Sequence, residues 1–175
     1  MSVMGMVATL HQIDDNQIET VKTEMDRVLG DLSGVQLRGQ DVLVGTFIRP
    51  GTKRIRGANG QMIDFAIGGT GAAAIEDVYQ GKIVRILKLG PQAFCTKTWE
   101  SLKTEWGAED DIPKVGDWVF CNANDGLQVS YKGPGSQPTT MFNDMAKMPS
   151  NGGWPCRIVK FDDIMGKVSD PGVLV

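Results

Sequence analysis

The sequence predicts a mainly β domain, a barrel or a sandwich, preceded by one amphipathic helix. Several short apolar stretches are separated by glycine-, asparagine- and proline-containing turns, which is typical of antiparallel strands rather than of βαβ units. One stretch near the start instead places apolar residues at helical spacing. The chain has 175 residues, 41% of them hydrophobic and 22% charged, which is ordinary for one domain with a well-buried core.

The composition disfavours several classes of function. The net charge of -3 gives no general attraction to nucleic acid. No apolar run approaches the roughly 20 residues that span a bilayer, and residues 1–10 lack the basic start and apolar centre of a secretory signal. Cys95, Cys121 and Cys156 are isolated and odd in number, so we expect free thiols in a reducing compartment.

The helix is predicted from one apolar stripe. Its members recur at helical spacing: Ile18, Val21, Met25, Val28 and Leu29. Asp14 or Asp15 is suited to cap its N-terminus, and Gly30 is placed to end it. The stripe either packs on its own domain or docks on a neighbouring subunit, and both interpretations remain open from the sequence.

Six further stretches are predicted to be strands. They are residues 40–48, 81–89, 115–121, 127–131, 156–161 and 165–168. The sequence Asn124-Asp125-Gly126 is a turn signal, so we expect residues 127–131 to return antiparallel to residues 115–121.

The chain is predicted to consist of an N-terminal extension and one β domain that contains a long loop and two insertions. Residues 1–34 form an N-terminal extension that carries the helix, and residues 35–175 form the β domain. Residues 49–80 are predicted to be a glycine-rich, mobile-type loop, basic at its start. Residues 92–113 and 133–155 are predicted to be insertions.

No residue set carries recognisable catalysis. His11 is the one histidine, which disfavours a histidine-based triad or metal cluster. The sequence Gly68-Gly69-Thr70-Gly71 lacks the lysine and serine or threonine of a phosphate-binding loop. Asp162-Asp163 is interpreted as a polar turn, because adjacent carboxylates in extended chain point apart. We therefore predict a protein that is not an enzyme and has no catalytic residues, metal, cofactor or small-molecule substrate.

The candidate binding element is an apolar patch inside residues 49–80. Its members are Met62, Ile63, Phe65 and Ile67. Such a patch is either a buried piece of its own domain or a segment that orders on a partner. Full burial of each side chain contributes about 1.5–3 kcal/mol before ordering costs. One copy would bind weakly, whereas a ring of copies would bind strongly through multivalency.

Five pieces of the chain, in order, resemble the GroES-like co-chaperonin family. They are Gln40-Asp41-Val42-Leu43-Val44, the glycine-rich segment 49–80, residues 81–91, Val115-Gly116-Asp117-Trp118-Val119, and Ile164-Met165-Gly166-Lys167-Val168. The resemblance covers residues 35–171 and is to the divergent, insertion-bearing members found in bacteriophages. It implies a GroES-like small β-barrel, here with an N-terminal helix and two loop insertions.

The resemblance also implies a function. Family members form rings that cap a chaperonin through mobile loops, so we expect a homo-oligomer that assists folding of phage proteins in the host cytoplasm. The nearest match to the family's apolar contact sequence is Gly60-Gln61-Met62-Ile63-Asp64. Gln61 replaces a glycine, and Asp64 stands where a third apolar residue is expected, which would be costly in an apolar groove. The alternative is a structural component of the virion, such as a capsid-decorating, neck or tail protein built on the same barrel.

Overall fold

The computed structural model describes residues 15–48, 52–56, 62–66, 81–95, 106–108, 111–123, 125–131, 133, 153–169 and 171. Within them the chain forms one α-helix and eight strands. They are α1 (Asp15–Leu29), β1 (Asp41–Thr46), β2 (Thr52–Arg56), β3 (Met62–Ala66), β4 (Ile83–Leu89), β5 (Trp118–Cys121), β6 (Leu127–Tyr131), β7 (Trp154–Lys160) and β8 (Ile164–Val168). A 3-10 helix, Phe161–Asp163, joins β7 to β8.

The helix forms where the apolar stripe predicts it. Val21, Met25 and Val28 have no exposed surface, and they face the sheet from the same side of α1. The helix ends at Gly30, which has a φ of 59° and donates its N–H to Asp26 O at 2.9 Å. Only glycine adopts this left-handed conformation without a steric cost, so Gly30 ends the helix as predicted.

Six strands form one antiparallel sheet in the order β6-β7-β1-β4-β5-β8, which confirms the mainly β prediction. Central β1 pairs with both β7 and β4, and it is buried on both faces at Val42, Leu43 and Val44. The ladder contains two irregularities, one at Leu43/Val44 and one at Phe120/Cys121. Bulges of this kind increase local twist and bend the strand that carries them.

The sheet is strongly curled. Strands β7 and β8 are joined by three residues, although β1, β4 and β5 lie between them in the sheet. Neighbouring strands lie about 4.8 Å apart, so β7 and β8 would be about 19 Å apart in a flat sheet. The four residue steps from Lys160 to Ile164 span at most about 14 Å even when fully extended. The sheet must therefore bend until β8 approaches β7.

Curling gives the sheet an outer and an inner apolar cluster. The outer cluster joins α1 to the sheet and includes Leu43, Phe47, Trp118, Trp154 and Cys156. The inner cluster contains buried residues from five strands of the one sheet: Val42, Val44, Val84, Ile86, Val119, Cys121, Val159 and Ile164. Phe94 stands at its margin, with ring centroids 6.3 Å from Trp106 and 5.4 Å from Phe161.

The predicted pairing of residues 127–131 with residues 115–121 is wrong. Strand β6 pairs with β7, from Leu127 opposite Ile158 to Tyr131 opposite Trp154, while β5 pairs with β4 and β8. The turn before β6 is packed against β7 instead, because a Cβ on Gly126 would collide with Ile158 O. Tertiary packing therefore overrides the local hairpin signal.

Two predicted segment assignments also change. Residues 49–80 are not wholly loop, because β2 and β3 pair antiparallel inside them. Trp154 and Pro155, assigned from sequence to the second insertion, begin β7. At the other end of that segment, Gly133 donates its N–H to Val28 O at 2.9 Å, where it satisfies a carbonyl in the last turn of α1.

Gly45 lets α1 lie close to the sheet. A Cβ at this position would stand 2.9 Å from Met25 Sδ and 3.1 Å from Leu87 Cδ1. Real Cβ atoms essentially never stand within 3.0 Å of another heavy atom, so a larger residue must displace the end of the Met25 side chain, and it also crowds Leu87. The absence of a side chain at residue 45 therefore provides the space in which Met25 is buried.

We predict that Gly45→Val lowers the free energy of unfolding by about 1–3 kcal/mol, because it overpacks the helix–sheet interface. Met25→Ala alone should cost about 2–5 kcal/mol. The double variant should be less destabilised than the sum of the two single variants, by about 1 kcal/mol, because the smaller residue 25 makes room for the valine. Urea denaturation of the four proteins measures this coupling.

Gly34→Val is the matched control, because a Cβ at Gly34 meets no heavy atom within 4 Å. Its effect on unfolding should stay within about 0.5 kcal/mol. Strictly additive effects of the changes at residues 25 and 45 would contradict the packing described here.

Candidate partner-binding site

The two stems of segment 49–80 lie side by side. The outgoing stem is the end of β1 and residues Phe47 and Ile48, and the returning stem is residues 81–83. Phe47 N–H donates to Ile83 O at 2.9 Å, so the backbone itself joins the stems. Phe47 and Ile48 are buried. The segment therefore leaves from, and returns to, one fixed place at the end of β1.

Inside this segment the structure describes the backbone of a two-stranded hairpin. In its register Ile55 is opposite Ile63, Lys53 is opposite Phe65, and Arg54 is opposite Asp64. The candidate residues Met62, Ile63 and Phe65 all belong to β3. Ile67 lies outside the described residues, as do the four residues 68–71 of the glycine cluster. The structure thus places three of the four candidates on one strand of a hairpin.

The helix stripe lies within the core of its own chain. Val21, Met25 and Val28 are completely buried against the sheet, and Ile18 is half-buried. A salt bridge of 2.7 Å between Arg85 Nη1 and Asp26 Oδ1 also joins the helix to β4. Three of the four stripe residues predicted for packing or oligomer contacts are therefore occupied by intramolecular packing.

The Val-Gly-Asp sequence forms the tight turn that leads into β5. Asp117 N–H donates to Lys114 O at 3.0 Å, and Gly116 has a φ of 97°, the conformation that a type II turn needs at its third residue. Asp117 Oδ2 accepts the Lys114 N–H at 2.9 Å and lies 3.0 Å from Lys167 Nζ of β8. The turn therefore fixes both the start of β5 and its pairing with β8.

The acidic pair after β7 also has a structural place. Asp162 and Asp163 lie in the 3-10 helix, and Asp163 Oδ2 accepts the Lys160 N–H at 3.0 Å. Among the described residues, no group of three or more His, Cys, Asp or Glu side chains is arranged to hold a metal ion. His11 lies outside the described residues.

Sequence reasoning missed two residues that contact the stems. Trp154 Nε1 donates to Thr46 O at 2.9 Å, and the Arg157 guanidinium donates to Gly81 O through Nη2. Gly152 and Gly153 precede Trp154 and Pro155 follows it, so the sequence there is typical of a loop and not of a buried strand. Arg157 interrupts an apolar strand, and such a residue is ordinarily read as solvent-facing. The one available signal was its spacing, because Arg157 alternates in phase with buried Val159.

Two of the three thiols are buried in different clusters. Cys121 belongs to the inner cluster and Cys156 to the outer one. Burial raises the pKa of Cys121 to about 11, although the nearby Arg157 charge partly opposes this shift. Burial raises the pKa of Cys156 to about 12. Both thiols are therefore protonated at neutral pH. The third, Cys95, is half-buried.

No protein-family model matches the chain, and no curated protein matches it in sequence. Within the described part of the chain, α1 is too short and too polar to cross a bilayer.

We predict that Cys121 and Cys156 resist alkylation at neutral pH until the protein unfolds. The ordinary thiol pKa is 9.0, so above this value the unfolded chain ionises while the folded thiols stay protonated. Stability should therefore fall as pH rises from about 9 towards the folded pKa values, by at most about 1.4 kcal/mol per thiol per pH unit. Peptide mapping after iodoacetamide treatment and urea midpoints measure the two effects.

The double variant Cys121→Ala/Cys156→Ala is the control, because it keeps the lysine and tyrosine titrations. Its midpoint should fall less steeply above pH 9 than that of the unmodified protein. Rapid native labelling of either buried thiol would refute the assigned burial.

Proposed function

We propose that this protein is a ring-forming, co-chaperonin-like protein that binds a chaperonin through residues 49–80. The observation that carries the proposal is a curled antiparallel sheet from which one long segment leaves and returns between adjacent stems. This arrangement suits a rigid scaffold that presents a binding element to a partner. Its site of action on this proposal is the host cytoplasm.

The proposal includes curling of the sheet into a GroES-like small barrel in which the described edge strands β6 and β8 stay unpaired with each other. The short connection from β7 to β8 supports it, since it requires the two strands to be close. A second contact supports it as well. Arg157 Nη1, on β7, donates to Asn122 O and Asp125 O, which follow β5, at 3.1 and 3.0 Å. In a flat sheet β5 and β7 would be about 14 Å apart, farther than this side chain reaches.

Ring formation is supported by the two edges of the sheet. Among the described residues, β6 and β8 each have a strand on one side only. Exposed edges of this kind pair readily with other chains unless they are protected. Leu127 of β6 is 64% exposed and Met165 of β8 is 65% exposed. Both edges therefore offer backbone groups and an apolar side chain to a neighbouring copy.

The hairpin register bears on the charge at Asp64. Arg54 lies directly opposite Asp64 in the β2–β3 pairing, a position at which opposite charges are favourable. An opposite charge at this register position would reduce the cost of bringing Asp64 to an apolar groove. Met62 and Ile63 remain the apolar residues that we assign to the chaperonin contact, with Phe65 and Ile67 following them.

We predict that Met62→Asp/Ile63→Asp abolishes binding to a purified bacterial chaperonin. Loss of two apolar side chains weakens each contact by about 3–6 kcal/mol, and a ring multiplies the loss over its copies. Sedimentation of mixtures with and without ATP measures binding, and native mass spectrometry of the protein alone measures ring formation. The ring should survive in the double variant.

Val115→Asp is the matched control for each of the two substitutions, because it adds one negative charge at an apolar residue that is 59% exposed outside the segment. It should bind as the unmodified protein does. Undiminished chaperonin binding by the residue 62/63 variant, or no binding by the unmodified protein, would end this proposal.

A structural component of a phage particle is the second candidate function, and the hairpin favours it. The chaperonin-contacting sequence expected from the family is short and apolar, whereas β2 carries Lys53, Arg54 and Arg56. A charged, paired hairpin suits a fixed contact with an acidic neighbour in a lattice. Such a protein would decorate the capsid or belong to the neck or tail.

This second candidate predicts that the protein is present in purified particles in a fixed ratio to the major capsid protein. Quantitative mass spectrometry of particles, purified through a density gradient, measures that ratio. Its presence only in the lysate, and not in the particles, would exclude the virion function and leave the co-chaperonin function.

A further inference from the structure

Both stems of segment 49–80 are held by side chains of the same strand. Trp154 and Arg157 belong to β7, and their odd spacing places them on opposite faces of it. Trp154 has no exposed surface, and its Nε1 donates to Thr46 O at 2.9 Å on the outgoing stem. Arg157 is 2% exposed, and its Nη2 donates to Gly81 O on the returning stem.

Arg157 also ties the returning stem to the turn after β5. Its Nη1 donates to Asn122 O at 3.1 Å and to Asp125 O at 3.0 Å. The guanidinium packs on Gly81 as well, because a Cβ there would stand 3.2 Å from Arg157 Cζ. One side chain thus binds three backbone carbonyls at two places that lie far apart in sequence, residue 81 and the turn after β5.

The surroundings of Arg157 compensate its buried charge only in part, so a contribution to stability does not account for this residue. Within the described part of the chain, no ion pair links it to a carboxylate, and its buried Nε has no hydrogen-bond acceptor. Burial lowers the pKa of this group below its ordinary value. A buried charge with incomplete compensation often contributes less to stability than an apolar residue of similar size. Its three carbonyl contacts instead fix the backbone of the returning stem against the turn after β5.

We propose that Trp154 and Arg157 are positioning residues for segment 49–80: together they fix the direction in which its two stems leave the sheet. The proposal rests on the proposed function insofar as the segment binds the chaperonin. Fixed stems keep the segment in its binding-competent orientation. Loosened stems reduce the fraction of molecules that hold the segment in this orientation. The apparent dissociation constant rises as the reciprocal of that fraction.

Three variants test the positioning role without altering the segment. Trp154→Phe keeps the aromatic volume and removes the Nε1 donor. Arg157→Met keeps much of the aliphatic stem and removes every donor, and Arg157→Lys restores the charge with a single donor group. Hydrogen–deuterium exchange of the stem amides, urea denaturation and sedimentation with a purified bacterial chaperonin are measured for each.

We expect amides of the stems, including Phe47 and Ile83, to exchange about tenfold faster in Trp154→Phe and Arg157→Met, because local opening releases them. Amides in the β5–β8 ladder should change little. The dissociation constant for the chaperonin should rise as the reciprocal of the fraction of molecules whose stems stay fixed, so it rises where a variant populates the open stems. Arg157→Met should retain or raise its urea midpoint although its stems loosen, and Arg157→Lys should lie between it and the unmodified protein.

Arg85→Met is the matched control. Arg85 is also largely buried, but it binds Asp26 of the helix and Gly116 O of the turn rather than the stems. It should leave stem exchange and chaperonin affinity within about twofold of the unmodified protein, because it acts on a different part of the sheet.

The outcomes separate this inference from the proposed function. Unchanged stem exchange in Trp154→Phe and Arg157→Met would overturn the positioning role, whatever the partner. Stems that are mostly open by exchange, without weaker binding where the unmodified protein does bind, would also overturn it. If the unmodified protein binds no chaperonin, the proposed function fails, and stem exchange alone decides whether these residues position the segment.

Discussion

The three-residue connection between β7 and β8 is the constraint on which the rest of the structure depends. It requires strands at distant positions in the sheet to lie close in space, so the sheet has to curl. Curling brings Val44, Ile86, Val119 and Ile164 together from four different strands without help from a helix. The outer face still needs a cover, and α1 provides it with Val21, Met25 and Val28. The helix is therefore part of the same folding unit and not a detachable extension.

The same strand that begins this connection also organises the stems of segment 49–80. Strand β7 pairs with β1 and β6 through its backbone. Its side chains also contact the stems, which lie outside these two pairings. Trp154 acts on the outer face and Arg157 on the inner one. Because Arg157 binds three backbone carbonyls and no carboxylate, its role is geometric. Movement of β7 would be transmitted to both stems at once.

Much of the fold could be predicted from sequence because its signals are local. The stripe from Val21 to Val28 and the glycine at residue 30 define α1, and apolar alternation marks β1 and β4. The pairing partner of β6 could not be predicted, because Asn124-Asp125-Gly126 specifies a turn but not the strand on which the turn packs. Gly126 lies against Ile158 O, and this contact is visible only in three dimensions.

The candidate site was predictable in outline only. The apolar content of β3 is evident in the sequence, and Met62, Ile63 and Phe65 were identified from it. Its pairing with β2 was not identified, because Lys53, Arg54 and Arg56 are typical of a solvated loop. The hairpin pairs backbone positions such as Arg54 and Asp64, which are ten residues apart and have no short-range turn signature that links them.

Burial of the helix stripe limits where a neighbouring copy or partner is able to bind. Three apolar residues of α1 are already covered, so an interface that used them would have to expose the outer cluster first. Exposing several such side chains costs about 1.5–3 kcal/mol each, a large share of the stability of a domain of this size. Among the described residues, the edges of β6 and β8 are the alternatives, with Leu127 64% and Met165 65% exposed. On the proposed function, assembly through these edges would use neither the helix stripe nor the stems, and would leave segment 49–80 for the chaperonin contact.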